Sequence, residues 1–86
     1  MNDDDVTTEG SLTTGEFRVG INFNPSGDDM VGQIKRAAAD LIDLIEAIPL
    51  SAGDRVGNEV ARLKALAMTH IEDAAMWGVK AATKRK

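Results

Sequence analysis

The strongest constraint in this sequence is a short connector between two long stretches of helical periodicity. In residues 27–48, Val31, Ile34, Ala38, Leu41 and Ile45 recur at spacings of three and four, and Ala37, Ile42 and Ile48 widen the stripe. Lys35, Arg36, Asp40, Asp43 and Glu46 occupy the other sides. Pro49 then stops the helix, because it lacks an amide donor and crowds the preceding turn. Residues 49–57, PLSAGDRVG, are turn-rich and too few to do more than reverse the chain. Ser51 or Asp54 caps the helix that follows, over residues 58–83. The pattern predicts an all-α fold, an antiparallel two-helix hairpin.

A hairpin alone does not satisfy the second helix. One apolar row runs through Val60, Leu63, Ala67, Ile71, Ala74 and Gly78, and another through Leu66, His70, Ala75 and Val79. That face is too wide for one partner helix, and its many alanines allow close approach. At 86 residues the chain is one domain at most, and it has no cysteine and one histidine. Disulfides and thiolate metal sites are therefore excluded, the composition fits a reducing compartment, and no structural zinc or other metal is expected. So small a chain is stabilised by association, and the expected state is an oligomeric helical bundle built from dimeric units. No apolar run approaches membrane-spanning length, and the acidic N-terminus does not resemble a secretory signal. A formal net charge of -4 argues against binding DNA or RNA polymers.

The charge is unevenly placed. The first 16 residues hold five acidic and no basic side chains, and residues 80–86 hold four basic and no acidic ones. Residues 1–15, rich in Asp, Thr, Ser and Gly, are expected to be a disordered acidic tail. The folded domain is expected over residues 16–84. Its first part, residues 16–26, is expected to be a short extended arm, because Phe17, Val19, Ile21 and Phe23 alternate with Arg18, Gly20 and Asn22. A lone strand is unstable, so the arm lies on its own helices or on a neighbouring subunit. Residues 22–35, NFNPSGDDMVGQIK, turn the arm into the first helix. Ser26 is placed to cap it, and Asp29 three residues on completes a capping box. The same free amides and helix dipole offer a weak anion site, for which Asp28 and Asp29 compete.

The candidate binding residues cluster in two places. Around the first helix start, Asn22 and Asn24 offer donors and acceptors, Phe23 offers a ring able to stack on a base, and Pro25, Ser26 and Gly27 bring backbone close. Each also has a plainer role, in packing or in a turn. Lys35, two turns along the helix, is either solvated or folded back toward residues 22–27 as a mobile point charge for phosphate. On the second helix, Thr69 and His70 sit mid-helix, where a threonine usually bonds its own backbone and a histidine usually sits in a core or interface. Trp77 suits an interface anchor as well as a base-stacking shelf, and Lys80 lies near the helix's negative end. Glu72 and Asp73 are adjacent, so they share no face, and salt bridges to lysine or arginine are expected instead. No glycine-rich phosphate loop is present, and no nucleophile has a base at useful spacing. The chain does not read as an enzyme, and no cofactor is expected.

Two stretches together, NFNPSGDDMVGQIKRAAADLIDLIE and ALAMTHIEDAAMWGVKAATK, resemble the helical-hairpin domain of small phage proteins that counter bacterial signalling defences by soaking up cyclic nucleotides. That family contains the second anti-CBASS protein and shares its hairpin with the first Thoeris anti-defence protein. The resemblance covers about residues 20–84. It implies a non-enzymatic sponge in the host bacterial cytoplasm that binds cyclic dinucleotides, and cyclic trinucleotides in a separate pocket, and so starves the CBASS effector. It also implies a hexamer, a trimer of dimers, with pockets shared between protomers. The dinucleotide site would draw on Phe23 and Lys35. The trinucleotide site would draw on Thr69, but Met68 stands where relatives carry an arginine, which removes the strongest phosphate clamp. Two other readings stay open: a small structural or adaptor protein that acts by bundling, which would leave Lys35 solvated, and a sponge for cyclic ADP-ribose isomers. A nucleic-acid-binding regulator is disfavoured by the lack of a basic stripe with interleaved aromatics.

Overall fold

A computed structural model describes residues 11–50 and 53–85. Most of the expected acidic tail, residues 1–10, and the alternative cap Ser51 lie outside the described residues. Three helices lie wholly within them: α1, Thr14–Val19; α2, Asp29–Glu46; and α3, Arg55–Lys84. No strand is present among the described residues. The long helices α2 and α3 form the hairpin, and α1 packs mainly on α2.

The extended arm expected over residues 16–26 is instead α1 followed by turns. Local capping outweighs the alternating pattern. Thr13 Oγ1 accepts from the Glu16 amide at 3.1 Å, and Glu16 Oε1 accepts from the Thr13 amide at 2.9 Å, a complete capping box. Gly20, at φ 66°, ends the helix in the left-handed conformation that glycine adopts without cost, and the Ile21 amide donates back to Glu16 O at 3.0 Å. Thr13, Thr14 and Gly15, assigned to the tail from sequence, therefore belong to the fold. The alternation does not define a buried side either, because Phe17 and Phe23 are 60% and 70% exposed.

Gly15 sets how closely α1 docks. It is buried against α2, where a Cβ would fall 2.1 Å from the Ala39 carbonyl oxygen, and its amide donates to Asp43 Oδ1 at 2.7 Å. Arg36 adds an ion pair to Glu16 at 2.9 Å. The core is small and alanine-rich: its buried apolar side chains are Val31, Ala38, Ala39 and Ile42 of α2 and Ala75 and Ala82 of α3.

The helix ends also depart from the sequence reading. Asp28, not Ser26, caps α2, with Oδ1 accepting from the Met30 amide at 2.9 Å. Asp54 caps α3 by accepting from the Gly57 amide at 2.7 Å, and α3 starts at Arg55, three residues earlier than expected. Helix α2 ends at Glu46, before Pro49 is reached. Its last carbonyls are met by Lys64 of α3, whose ammonium donates to Glu46 O at 2.8 Å and Ile48 O at 2.5 Å. A cation there satisfies orphan acceptors and the negative end of the helix together.

Much apolar surface is left uncovered. Leu41 and Leu44 on α2, and Leu63, Leu66, Met76 and Trp77 on α3, are all more than two-fifths exposed.

Candidate functional site

A cleft of about 610 Å³ opens between α1 and α3, with Lys35 of α2 among its lining residues. Val19, Ala75, Met76 and Val79 give it an apolar wall, and Arg18, Thr69, Glu72 and Asp73 give it a polar one. Arg18 owes its place to α1: a helical turn, unlike an extended arm, carries its side chain across to α3. Nε donates to Glu72 Oε1 at 2.8 Å and Nη2 to Thr69 Oγ1 at 3.4 Å. The guanidinium thus lies along the lip of the cleft, with its side chain 25% exposed. Asp73 is turned aside, accepting from Trp77 Nε1 at 3.2 Å.

Lys35 is neither solvated nor free. It is 8% exposed, and its ammonium donates to the carbonyls of Gly20, at 2.9 Å, and of Phe23. It also lies 5.4 Å from the centre of the Phe23 ring, a cation–π distance. Burial pushes its pKa below the ordinary 10.5, since removing an ammonium from water disfavours the charged form. The lysine folds back as one sequence alternative had it, though onto residues 20–23 rather than 22–27, and pins the turn that follows α1.

The weak anion site at the start of α2 is already filled. The Asp28 carboxylate, 6% exposed, takes the Met30 amide and is met by Arg85 Nη2 at 3.2 and 3.3 Å. The Val31 and Gly32 amides donate to Asp28 O. Ser26 and Asn24 are spent on the turn itself: Ser26 Oγ donates to Asn24 Oδ1 at 2.8 Å and accepts from the Asp28 amide at 3.2 Å, and Asn24 Nδ2 donates to Asp28 O at 3.0 Å. An internal carboxylate therefore occupies the place a phosphate would take.

Of the residues singled out in the sequence, Lys35 and Thr69 meet in the cleft, and Phe23 joins them at its edge through Lys35. Asn22, Pro25 and Gly27 are exposed on the turn before α2 and do not line the cleft. His70, next to Thr69, is exposed and outside it. Trp77 and Lys80 form their own pair, with Lys80 Nζ 5.4 Å from the Trp77 ring centre, and touch the site only through Asp73. Thr69 bonds Arg18 rather than its own backbone. Arg18, paired with Glu72, is the residue that sequence reasoning missed. The Thr13-x-x-Glu16 capping signal was the clue, because it places Arg18 on a helix. Among the described residues no group of three His, Cys, Asp or Glu side chains is placed to hold a metal ion. No helix there is long and apolar enough to cross a membrane.

The family model described as the Acb2/Tad1 hairpin domain matches residues 14–83. No curated protein and no solved structure matches the chain.

Proposed function

The chain belongs to the Acb2/Tad1 hairpin-domain family, and on that basis we propose that it is a phage anti-defence protein that sequesters host cyclic oligonucleotide messengers without cleaving them. The observation that carries this is the family match itself, which begins at the first residue of α1 and runs to the penultimate residue of α3. The finer parts of the reading are cyclic dinucleotides as ligands, with cyclic trinucleotides in a second pocket, CBASS as the pathway blocked, and the host cytoplasm as the place of action. The α1–α3 cleft is consistent with them. Two cations, Arg18 and Lys35, and two carboxylates, Glu72 and Asp73, line it beside an apolar wall that suits a flat base, and its volume lies within the usual range for small-molecule sites, roughly 300–1,000 Å³. The bundling-adaptor alternative loses its distinguishing feature, because Lys35 is buried and lines a cleft.

Association is part of the proposal. Exposed Leu44, Leu63 and Trp77 give the hairpin an apolar face that a second copy would cover, and six copies as a trimer of dimers is the assembly proposed. Phe23 and Trp77, both exposed beside a lysine, are proposed as stacking surfaces of pockets completed by a neighbour, with Asn22, Pro25, Ser26, Gly27, His70 and Lys80 around them.

An effector assay tests this function. Added protein should silence a CBASS effector driven by a cyclic dinucleotide, and heat-denaturing the protein should restore activity by returning the messenger intact. An effector that stays silent after denaturation would mean the messenger had been destroyed, which contradicts a sponge.

A further inference from the structure

Arg18 and Glu72 make an ion pair that leaves much of the guanidinium's donor capacity unused. The carboxylate is met through Nε alone, at 2.8 Å, rather than through the two parallel bonds that a guanidinium makes best with a carboxylate or phosphate. The Glu72 side chain is 45% exposed and that of Arg18 25%, so the pair sits at the water's edge, where such bridges contribute little. Arg18 Nη2 donates to the Thr69 hydroxyl at 3.4 Å on the same lip, and when that long bond is given up both groups can donate to one phosphoryl group. Below them the wall of Val19, Met76 and Val79 offers an apolar surface for a base.

Resting on the sponge reading above, we propose that Arg18 is a phosphate-binding residue of the α1–α3 cleft, and that Glu72 is an internal competitor which the phosphodiester of a cyclic oligonucleotide displaces. On binding, the guanidinium exchanges one carboxylate oxygen for phosphoryl oxygens, Thr69 adds its hydroxyl, and Glu72 turns into water. Asp73 also lines the cleft, but it is exposed, where water and salt screen its repulsion of a phosphate. The cost of breaking so exposed a pair is small beside the charge-assisted bonds gained. Phosphate charge and an apolar face for the base are recognised together, so a free inorganic phosphate fills only part of the site.

The test is calorimetric titration of the full chain with a panel of adenine- and guanine-containing cyclic dinucleotides and cyclic trinucleotides, and with pyrophosphate, for wild type, Arg18→Gln, Arg18→Lys and Glu72→Gln. Arg18→Gln should weaken binding of the preferred cyclic oligonucleotide about tenfold or more, and Arg18→Lys should fall between it and wild type. Glu72→Gln should tighten binding, because the competitor is gone. Pyrophosphate should bind more weakly than the cyclic ligands and follow the same order. A bridge that only supports the fold gives a different pattern: Arg18→Gln and Glu72→Gln lower the melting temperature alike and leave affinities unchanged. That pattern overturns the assignment of Arg18. Wild type that binds no cyclic dinucleotide or trinucleotide of the panel overturns the sponge reading itself, so the two failures are distinguishable.

Discussion

Replacing Lys35 by methionine isolates what its ammonium contributes, because the apolar stem is largely kept. The ammonium donates to the carbonyls of Gly20 and Phe23, and both bonds are lost in the variant. A hydrogen bond from a charged group contributes about 1.5–3 kcal/mol where water is excluded. Here Gly20 is half-buried and Phe23 exposed, so water replaces part of each bond. The variant also escapes the cost of burying a charge. Roughly 1–2 kcal/mol of net destabilisation remains, and for a domain this small each kcal/mol moves the melting temperature by about 4–8 °C. Lys35→Met should therefore melt about 5–15 °C lower in circular-dichroism scans at fixed protein concentration. A pH series adds an independent reading. Folding lowers the Lys35 pKa below 10.5, so the unfolded chain holds that proton more tightly. The stability contributed by this titration is complete above pH 10.5 and is lost as pH falls through the lower folded value. Lys35→Met should remove that part of the alkaline limb. A variant that melts at or above the wild-type temperature would refute the reasoning, and would mean that Lys35 is buried at a cost to the fold.

Two further outcomes follow from the same geometry. The Glu16 pKa is lowered first by its bond from the Thr13 amide and then by Arg36, so the stability it contributes is present above pH 4.5 and is lost as pH falls through its folded value. Glu16→Gln should flatten that acid limb in amide exchange of residues 14–19, and an unchanged acid profile would show that α1 docks without the capping box. Ala74 lies exposed on the wide α3 face, so Ala74→Arg should give smaller species in light scattering while the far-ultraviolet spectrum stays helical. An unaltered mass would place the interface elsewhere.

The two long helices were legible because each repeats its pattern over many turns. Val31, Ala38 and Ile42 were read onto one stripe, and all three are buried. Leu41 was read onto the same stripe and is 45% exposed, since a stripe widened to that extent reaches past the single neighbour the hairpin supplies. Ala39 was not singled out, and it is fully buried because Gly15 of α1 sits directly against it. Helix α1 itself was hidden behind alternation. Four apolar residues at period two suggest a strand, while the signals that decide the outcome, the Thr13–Glu16 box and the left-handed Gly20, flank that alternation. Missing the helix meant missing Arg18, since only helical phase brings it to Glu72 and Thr69. The fold-back of Lys35 was within reach because an extended lysine stem spans slightly more than one helical turn of about 5.4 Å. Its carbonyl partners were not, because they depend on a turn that only α1 creates.

The function proposed for this hairpin is to bind a cyclic nucleotide messenger and release it unchanged. Calorimetric titration of the purified protein with a panel of cyclic dinucleotides, cyclic trinucleotides and cyclic ADP-ribose isomers tests it most directly, with the recovered ligand checked by chromatography. A sponge binds one cyclic oligonucleotide class tightly and yields full recovery of intact ligand. Heat-stable folded protein that gives no binding signal across the panel, or ligand recovered as linear product, would contradict it.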